Sequence, residues 1–213
     1  MAKSKRVDLI QLRRNAEAGD RSSLFELAHH LASLPDAEIH RRECVSLFKQ
    51  AAALGHAVAA YALGTWYLHG VGVRKSYKQA FHFFLKSARL GYPPAQATVG
   101  WCFDAGKGTT RNDKQAFRWY SKAATAGDPD AQYDLGRCYF HGIGTAKSDR
   151  SAVKWYERAA EQGEPRAQYA IVLHLEKGRG VRKDVSKAMR WYRSAAAAGD
   201  QMAFERLTML KGE

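Results

Sequence analysis

Cysteine, long apolar runs and acidic side chains are what this 213-residue chain has least of, and each shortage excludes something. Three cysteines supply no disulfide framework. Cys102 and Cys138 stand at one position of two neighbouring repeat units, 36 residues apart. Stacked helices sit ~8–10 Å apart, whereas a disulfide needs Cα atoms within ~7 Å. Both therefore read as small packing residues, as does Cys44 in the column of Ala80 and Ala116. Reduced thiols fit a reducing compartment. No apolar run approaches the ~20 residues needed to cross a bilayer, and the mean hydropathy of −0.47 fits a soluble chain. The start, Met1 to Arg6, is basic, but Val7 to Arg14 mixes charged with apolar residues. A signal peptide needs an uninterrupted apolar stretch of ~7–15 residues there. The cytoplasm is thus the expected compartment, with no membrane partner.

Acidic residues number 21 against 34 lysines and arginines, a formal net charge of +13. Such a surplus raises nucleic acid or an acidic protein as a partner. Where the charge sits matters more than its size.

The organising feature is a period. Gly19, Gly55, Gly91, Gly127, Gly163 and Gly199 are each 36 residues after the last. A fixed period of this length marks a repeat array, whose units bury their apolar faces only by stacking. In the unit that opens at Gly127, Ala131, Leu135, Gly136 and Tyr139 trace one buried helix face. Ala59, Leu63, Gly64 and Tyr67 repeat it, as do Ala95, Val99, Gly100 and Phe103. Glycine within a helix costs ~1 kcal/mol relative to alanine, so its recurrence predicts a close approach of backbones. Glycine pairs follow at 70/72, 106/108, 142/144 and 178/180. The first ends the helix through a positive φ and the second permits the reversal. Ser76, Asn112, Ser148 and Asp184 then stand as N-caps. The second helix points Ala152, Trp155, Tyr156, Ala159 and Ala160 inward. Phe83-Phe84, Trp119-Tyr120 and Trp191-Tyr192 repeat its aromatic pair. Loss of Trp119 or Trp155 is expected to cost ~3–5 kcal/mol.

Enzyme signatures do not survive this periodicity. Ser46-Leu47-Phe48-Lys49 and Ser151-Ala152-Val153-Lys154 match S-x-x-K, but both lie inside second helices without the accompanying S-D-N or K-T-G. The eight histidines, including His29-His30, show no H-E-x-x-H or C-x-x-C ligand spacing, so no metal is expected. The glycine pairs lack the Gly-Lys-Ser/Thr of a phosphate loop. No catalytic residue and no cofactor is assigned.

The pattern A-Q-Y-x-L-G-x-x-Y-x-x-G-x-G, followed by the A-x-x-W-Y-x-x-A-A second helix, resembles the Sel-like repeat (SLR) family, relatives of the tetratricopeptide repeats. Ala131-Gln132-Tyr133, Leu135-Gly136, Tyr139, Gly142, Gly144, Ala152, Trp155-Tyr156 and Ala159 to Gly163 carry the match, which covers about residues 19–200. The resemblance implies an all-α, right-handed superhelical α/α solenoid of about five helix pairs plus terminal caps, about twelve helices in all. Residues 1–18 would form the N-terminal capping helix, 19–200 the solenoid with units starting at 19, 55, 91, 127 and 163, and 201–213 the C-terminal capping helix and tail. The resemblance also implies an adaptor class: members scaffold protein complexes in degradation, signalling and bacterial host-interaction or toxin-neutralising roles. Many secreted bacterial members carry a cysteine pair in each repeat. This chain lacks it, in keeping with a cytosolic address.

In such a solenoid the first helices line the concave groove, and residues that vary there are candidates for recognition. Helix geometry puts Tyr61, Thr65, Leu68 and His69 of one unit on that lining, with Trp101 and Asp104 of the next. Tyr133, Arg137, Phe140 and His141 follow, then Tyr169, Leu173 and Glu176. Met209 continues one of these columns. Tyr, Trp and Arg are the types enriched at binding hot spots, so a protein or peptide is the expected partner. The competing reading is that half of these side chains pack between repeats. Basic residues sit elsewhere: Lys114, Arg118, Lys122 and Arg150, Lys154, Arg158 recur on the outer face of second helices, with Lys78, Lys86 and Arg190 in the same columns. A stripe of this kind is a solvated face or, as the alternative, a phosphate-binding surface with steep salt dependence. In a gentler form it steers acidic protein partners. The reading favoured is a non-enzymatic adaptor, with a bacterial immunity-type role as its sharpest version. A nucleic-acid-associated protein is the alternative, and a hydrolase the least supported.

Overall fold

A computed structural model describes residues 9–35, 37–197 and 201–211 of the chain, with the backbone alone at 202 and 209–211. The expected basic start, Gly199 and the final residues lie outside them, as does the side chain of Met209. Twelve helices and no strand occur among the described residues. They are α1 (Leu9–Glu17), α2 (Arg21–Ala32), α3 (Ala37–Ala53), α4 (Ala57–His69), α5 (Tyr77–Arg89) and α6 (Pro93–Ala105). Then come α7 (Asp113–Thr125), α8 (Pro129–His141), α9 (Asp149–Glu161), α10 (Pro165–Lys177), α11 (Val185–Ala197) and α12 (Gln201–Lys211). The chain is an all-α solenoid of helix pairs. It divides into two compact units, the first ending at Arg111 and the second beginning at Asn112.

Local chemistry accounts for the helix ends. Ser76, Asn112 and Ser148 each accept a hydrogen bond from the backbone N–H three residues on, and Asp184 does the same for Lys187 at 2.8 Å. Each satisfies one of the orphan donors of a helix start. At the other end, Gly70, Gly106, Gly142 and Gly178 close α4, α6, α8 and α10 in the left-handed region. The second glycine of each pair has a further duty. A β-carbon at Gly144 would stand 2.1 Å from the Asp113 carbonyl oxygen, and one at Gly108 2.1 Å from that of Tyr77. These turns seat on the first residues of the preceding second helix, so the reversal doubles as the contact between repeats.

In the first unit, α1 to α6 pack each on the next, and α7 to α12 do so in the second. The first core gathers Leu12, Leu24, Leu27, Leu31, Phe48 and Leu63, and the second Tyr156, Ile171, Val172, Leu175 and Tyr192 among smaller alanines. The expected aromatic pair splits. Phe84, Tyr120, Tyr156 and Tyr192 are buried, whereas their neighbours Phe83, Trp119, Trp155 and Trp191 are half-buried. Lys122 lies 4.5 Å above the Trp119 ring and Arg158 4.6 Å above that of Trp155. Long basic side chains thus shield the outer aromatic while keeping their charge wet. The mid-helix glycines have a related cause. Beside Gly64 lies the Phe84 ring and beside Gly136 the Tyr156 ring, each 2.6 Å from where a β-carbon would sit. What excludes a side chain is a buried ring, where backbone against backbone was expected.

One polar tie also repeats. Gln96, Gln132 and Gln168 donate from Nε2 to the carbonyls of Ala88, Ala124 and Ala160, near the ends of α5, α7 and α9. Those carbonyls also accept the backbone N–H groups of Gly91, Gly127 and Gly163 in the turns that follow, so the glutamine adds a second bond at each helix end. Each first helix therefore caps the second helix before it.

Candidate functional site

In the first unit, α4 carries Tyr61, Thr65, Leu68 and His69, and α6 carries Trp101 and Asp104. Tyr61 packs between elements: its ring lies 5.4 Å from Phe84 and 5.3 Å from Tyr92. Its hydroxyl is 3.5 Å from Thr98 Oγ1. Thr65 donates to the Tyr61 carbonyl within α4. Leu68 and Asp104 are half-buried and His69 is exposed. Trp101 is 38% exposed, a large apolar ring left in water where Cys102 beside it is fully buried. Burial pushes the Cys102 thiol up to about 12.

In the second unit, α8 carries Tyr133, Arg137, Phe140 and His141, and α10 carries Tyr169, Leu173 and Glu176. Tyr133 is covered on one side by the Tyr156 ring at 5.7 Å and on the other by the Arg166 guanidinium at 4.5 Å. Arg166 also binds Asp130 and Glu164. Burial opposes its charge, but the hydrogen bond it donates to Glu164 and the nearby charges of Glu164, Asp134 and Asp130 together outweigh this and raise its pKa. Arg137 pairs with Asp134 one turn earlier at 3.2 Å, its side chain 27% exposed. Glu176 accepts from Arg206 at 3.3 Å and lies 3.5 Å from the Tyr192 hydroxyl. Tyr169 is half exposed, at 50%, and His141 is exposed.

Phe140 and Leu173 meet in a small pocket of about 130 Å³ with Tyr156, His174, Lys177 and Arg179. His174 is buried, and its Nδ1 lies 2.7 Å from the Arg179 carbonyl. A carbonyl only accepts, so Nδ1 carries the proton and donates. Its ring stands edge-on to Phe140 at 5.3 Å. Sequence reasoning passed over His174 and Arg179 as pocket residues. The available signal was column divergence: His174 stands where Trp66, Cys102 and Cys138 stand, and Arg179 where Val71, Lys107 and Ile143 stand.

Eight of the candidates thus fall into three kinds: exposed rings (Trp101, Tyr169), side chains paired or packed between helices (Tyr61, Tyr133, Arg137, Glu176), and pocket residues (Phe140, Leu173). Among the described residues no group of three or more histidine, cysteine or acidic side chains is placed to hold a metal. No described helix is long and apolar enough to cross a membrane. On the second helices Lys78, Lys114, Arg118, Lys122, Arg150, Lys154, Arg158 and Arg190 are exposed, and Lys86 is half-buried. The chemistry available is that of recognition: rings, a pocket and surface charge.

Helix pairs closed by αL glycines, with a ring seated on a glycine and a glutamine cap repeated down the chain, define a repeat solenoid. The Sel1 repeat matches residues 41–56, 57–92, 93–128, 129–164 and 165–200. The chain belongs to the Sel1 repeat family. Among solved structures it is similar to a protective antigen of uropathogenic Escherichia coli with an SLR fold, at 30% identity and a TM-score of 0.90. That likeness covers 94% of this chain and 43% of the antigen. It is also similar to a Sel1 repeat protein from Oxalobacter formigenes, at 29% identity and a TM-score of 0.81, covering 95% of this chain and 59% of that one. The chain therefore spans less than two thirds of either structure. An immunity protein from Pseudomonas aeruginosa shares the fold at 24% identity and a TM-score of 0.51, covering 86% of this chain and 67% of that one. Comparison with curated proteins finds no match.

Proposed function

We propose that this chain is a non-enzymatic adaptor that binds a protein or peptide through first helices of its repeats, α4 and α6 in the first unit and α8 and α10 in the second. The observation that supports it is the exposure of Trp101 and Tyr169 on those helices, at 38% and 50%. The ring positions one helix further on are buried without exception at Phe84, Tyr120, Tyr156 and Tyr192. On α6 and α10, Trp101 and Tyr169 are instead left in water, where a partner desolvates them. Membership of a repeat family typical of protein–protein interaction points the same way. The proposed compartment is the cytoplasm, in line with three buried free thiols.

Within the adaptor class, the finer proposal is an immunity or regulatory role in which the chain neutralises a cognate effector. The test is capture of partner by the intact chain against Trp101→Ala and Tyr169→Ala, with folding monitored by circular dichroism. Loss of capture without loss of helicity supports the proposal, and unchanged capture by both variants rejects it. Nucleic-acid binding through the exposed basic residues of the second helices is a second reading. Filter binding that persists at physiological salt would favour it over the adaptor.

A further inference from the structure

We infer that the pocket between α8, α9 and α10 takes one leucine- or phenylalanine-sized side chain of a partner segment whose flanking residues are acidic. This deepens the adaptor reading and rests on it. Three observations carry it.

The first is size and lining. The cavity is about 130 Å³, and an apolar cavity of roughly 150 Å³ admits a benzene ring. Phe140, Tyr156 and Leu173 form apolar wall, while the polar edge of His174 is already spent on the Arg179 carbonyl. A single ring or branched aliphatic group fits that room, and a longer polar side chain gains no partner from the walls.

The second is charge. Lys177 and Arg179 line the opening, and Lys147 lies 5.8 Å from the Phe140 ring. Arg179 spends part of its charge on Asp149 at 2.9 Å, stacked 4.6 Å over Phe140. Lys177 is exposed and meets no carboxylate among the described residues. The nearby acids are engaged: Asp149 by Arg179, Glu176 by Arg206. The unspent charge at the mouth is positive, so the complementary segment is acidic.

The third is divergence. The pocket occurs where the chain breaks its own repeat. Val172 replaces Gly64, Gly100 and Gly136, His174 replaces tryptophan and cysteine, Leu175 replaces the tyrosine column, and Arg179 replaces an aliphatic or lysine. Of these four, His174 and Arg179 line the pocket, and Val172 and Leu175 are buried in the core.

The experiment uses the whole chain and amidated, fluorescein-labelled pentapeptides read by fluorescence anisotropy. The first is Asp-Glu-Phe-Glu-Asp, the second has Ala for Phe, and the third has Lys for every acid. We expect the first to bind about tenfold or more tighter than either control, and Lys177→Glu to weaken it by about tenfold. Arg118→Glu, an exposed charge reversal on α7, should change it by less than about twofold. Leu173→Asn, which leaves the rim charges unchanged, should also abolish it, with circular dichroism confirming the fold. Absence of binding at millimolar peptide overturns the inference, as do equal binding of the alanine peptide or equal losses in Lys177→Glu and Arg118→Glu. Displacement of the peptide by oligothymidine at physiological salt, with the same sensitivity to Lys177→Glu, also overturns it in favour of nucleic acid. Partner capture that survives Lys177→Glu but is lost in Trp101→Ala removes the pocket and leaves the adaptor reading standing.

Discussion

A β-carbon placed on Gly136 would stand 2.6 Å from Cε1 of Tyr156. The ring is 4% exposed. This ring-on-glycine contact, matched by Phe84 on Gly64, joins the two helices of a pair and explains why helix-weakening glycines recur on a schedule.

Gly136→Ala gains about 1 kcal/mol of helix propensity and loses about 1–3 kcal/mol to overpacking. The packing loss is expected to win. Gly144→Ala should cost more, because its β-carbon meets a backbone carbonyl at 2.1 Å and its φ is +68°. Gly163→Ala, with φ at +88° and no atom within 4 Å, should cost only the left-handed penalty of about 1–2 kcal/mol. Urea denaturation midpoints of the three variants check the order.

The aromatic pair predicts an asymmetry. Tyr156→Ala removes a fully packed ring and should cost about 3–5 kcal/mol. Trp155→Ala removes a half-buried ring under Arg158 and should cost about half as much. Equal losses in thermal denaturation would contradict the split seen in the structure.

Gln132 is 5% exposed and donates to Ala124 at 3.2 Å while accepting from Gln162 at 2.8 Å. Gln132→Ala removes both of these bonds while the Ala124 carbonyl keeps the Gly127 N–H at 3.1 Å, at a cost of about 0.5–1.5 kcal/mol. Thr125→Ala, exposed on the same helix, should stay within about 0.5 kcal/mol. Chemical denaturation of the pair tests the cap.

Burial raises the Cys102 thiol from 9.0 to about 12. In the unfolded chain the thiol ionises first, so the contribution to stability is complete below pH 9 and is lost as pH rises towards 12. The stability advantage of the wild type over Cys102→Ala should therefore shrink above pH 9. Native-state alkylation of Cys102 at pH 8 should be slow and accelerate with urea. Rapid labelling of the native chain would contradict its burial.

Much of the architecture was legible because a repeat reports itself: the 36-residue glycine spacing, the caps and the αL glycines each state a backbone requirement in residue type. What periodicity hid was direction. Trp155 and Tyr156 are adjacent and equally apolar, and only the position of the next helix decides which one is buried. The same limit applies to the candidate site. Helix geometry placed Tyr61 and Tyr133 on the lining, yet Tyr92, just before α6, and Arg166, on α10, cover them. The pocket went unread because His174 and Arg179 are brought together with Phe140 by packing across α8 and α10, and no spacing rule within one helix contains that information.

The most direct test of the adaptor account is a quantitative pull-down from native lysate with the wild-type chain and a Trp101→Ala/Arg137→Ala double variant of equal helicity. The account predicts a defined protein retained by the wild type and depleted about tenfold or more by the double variant, the loss expected when hot-spot side chains are truncated. An identical set of proteins on both, at equal yield, would contradict it.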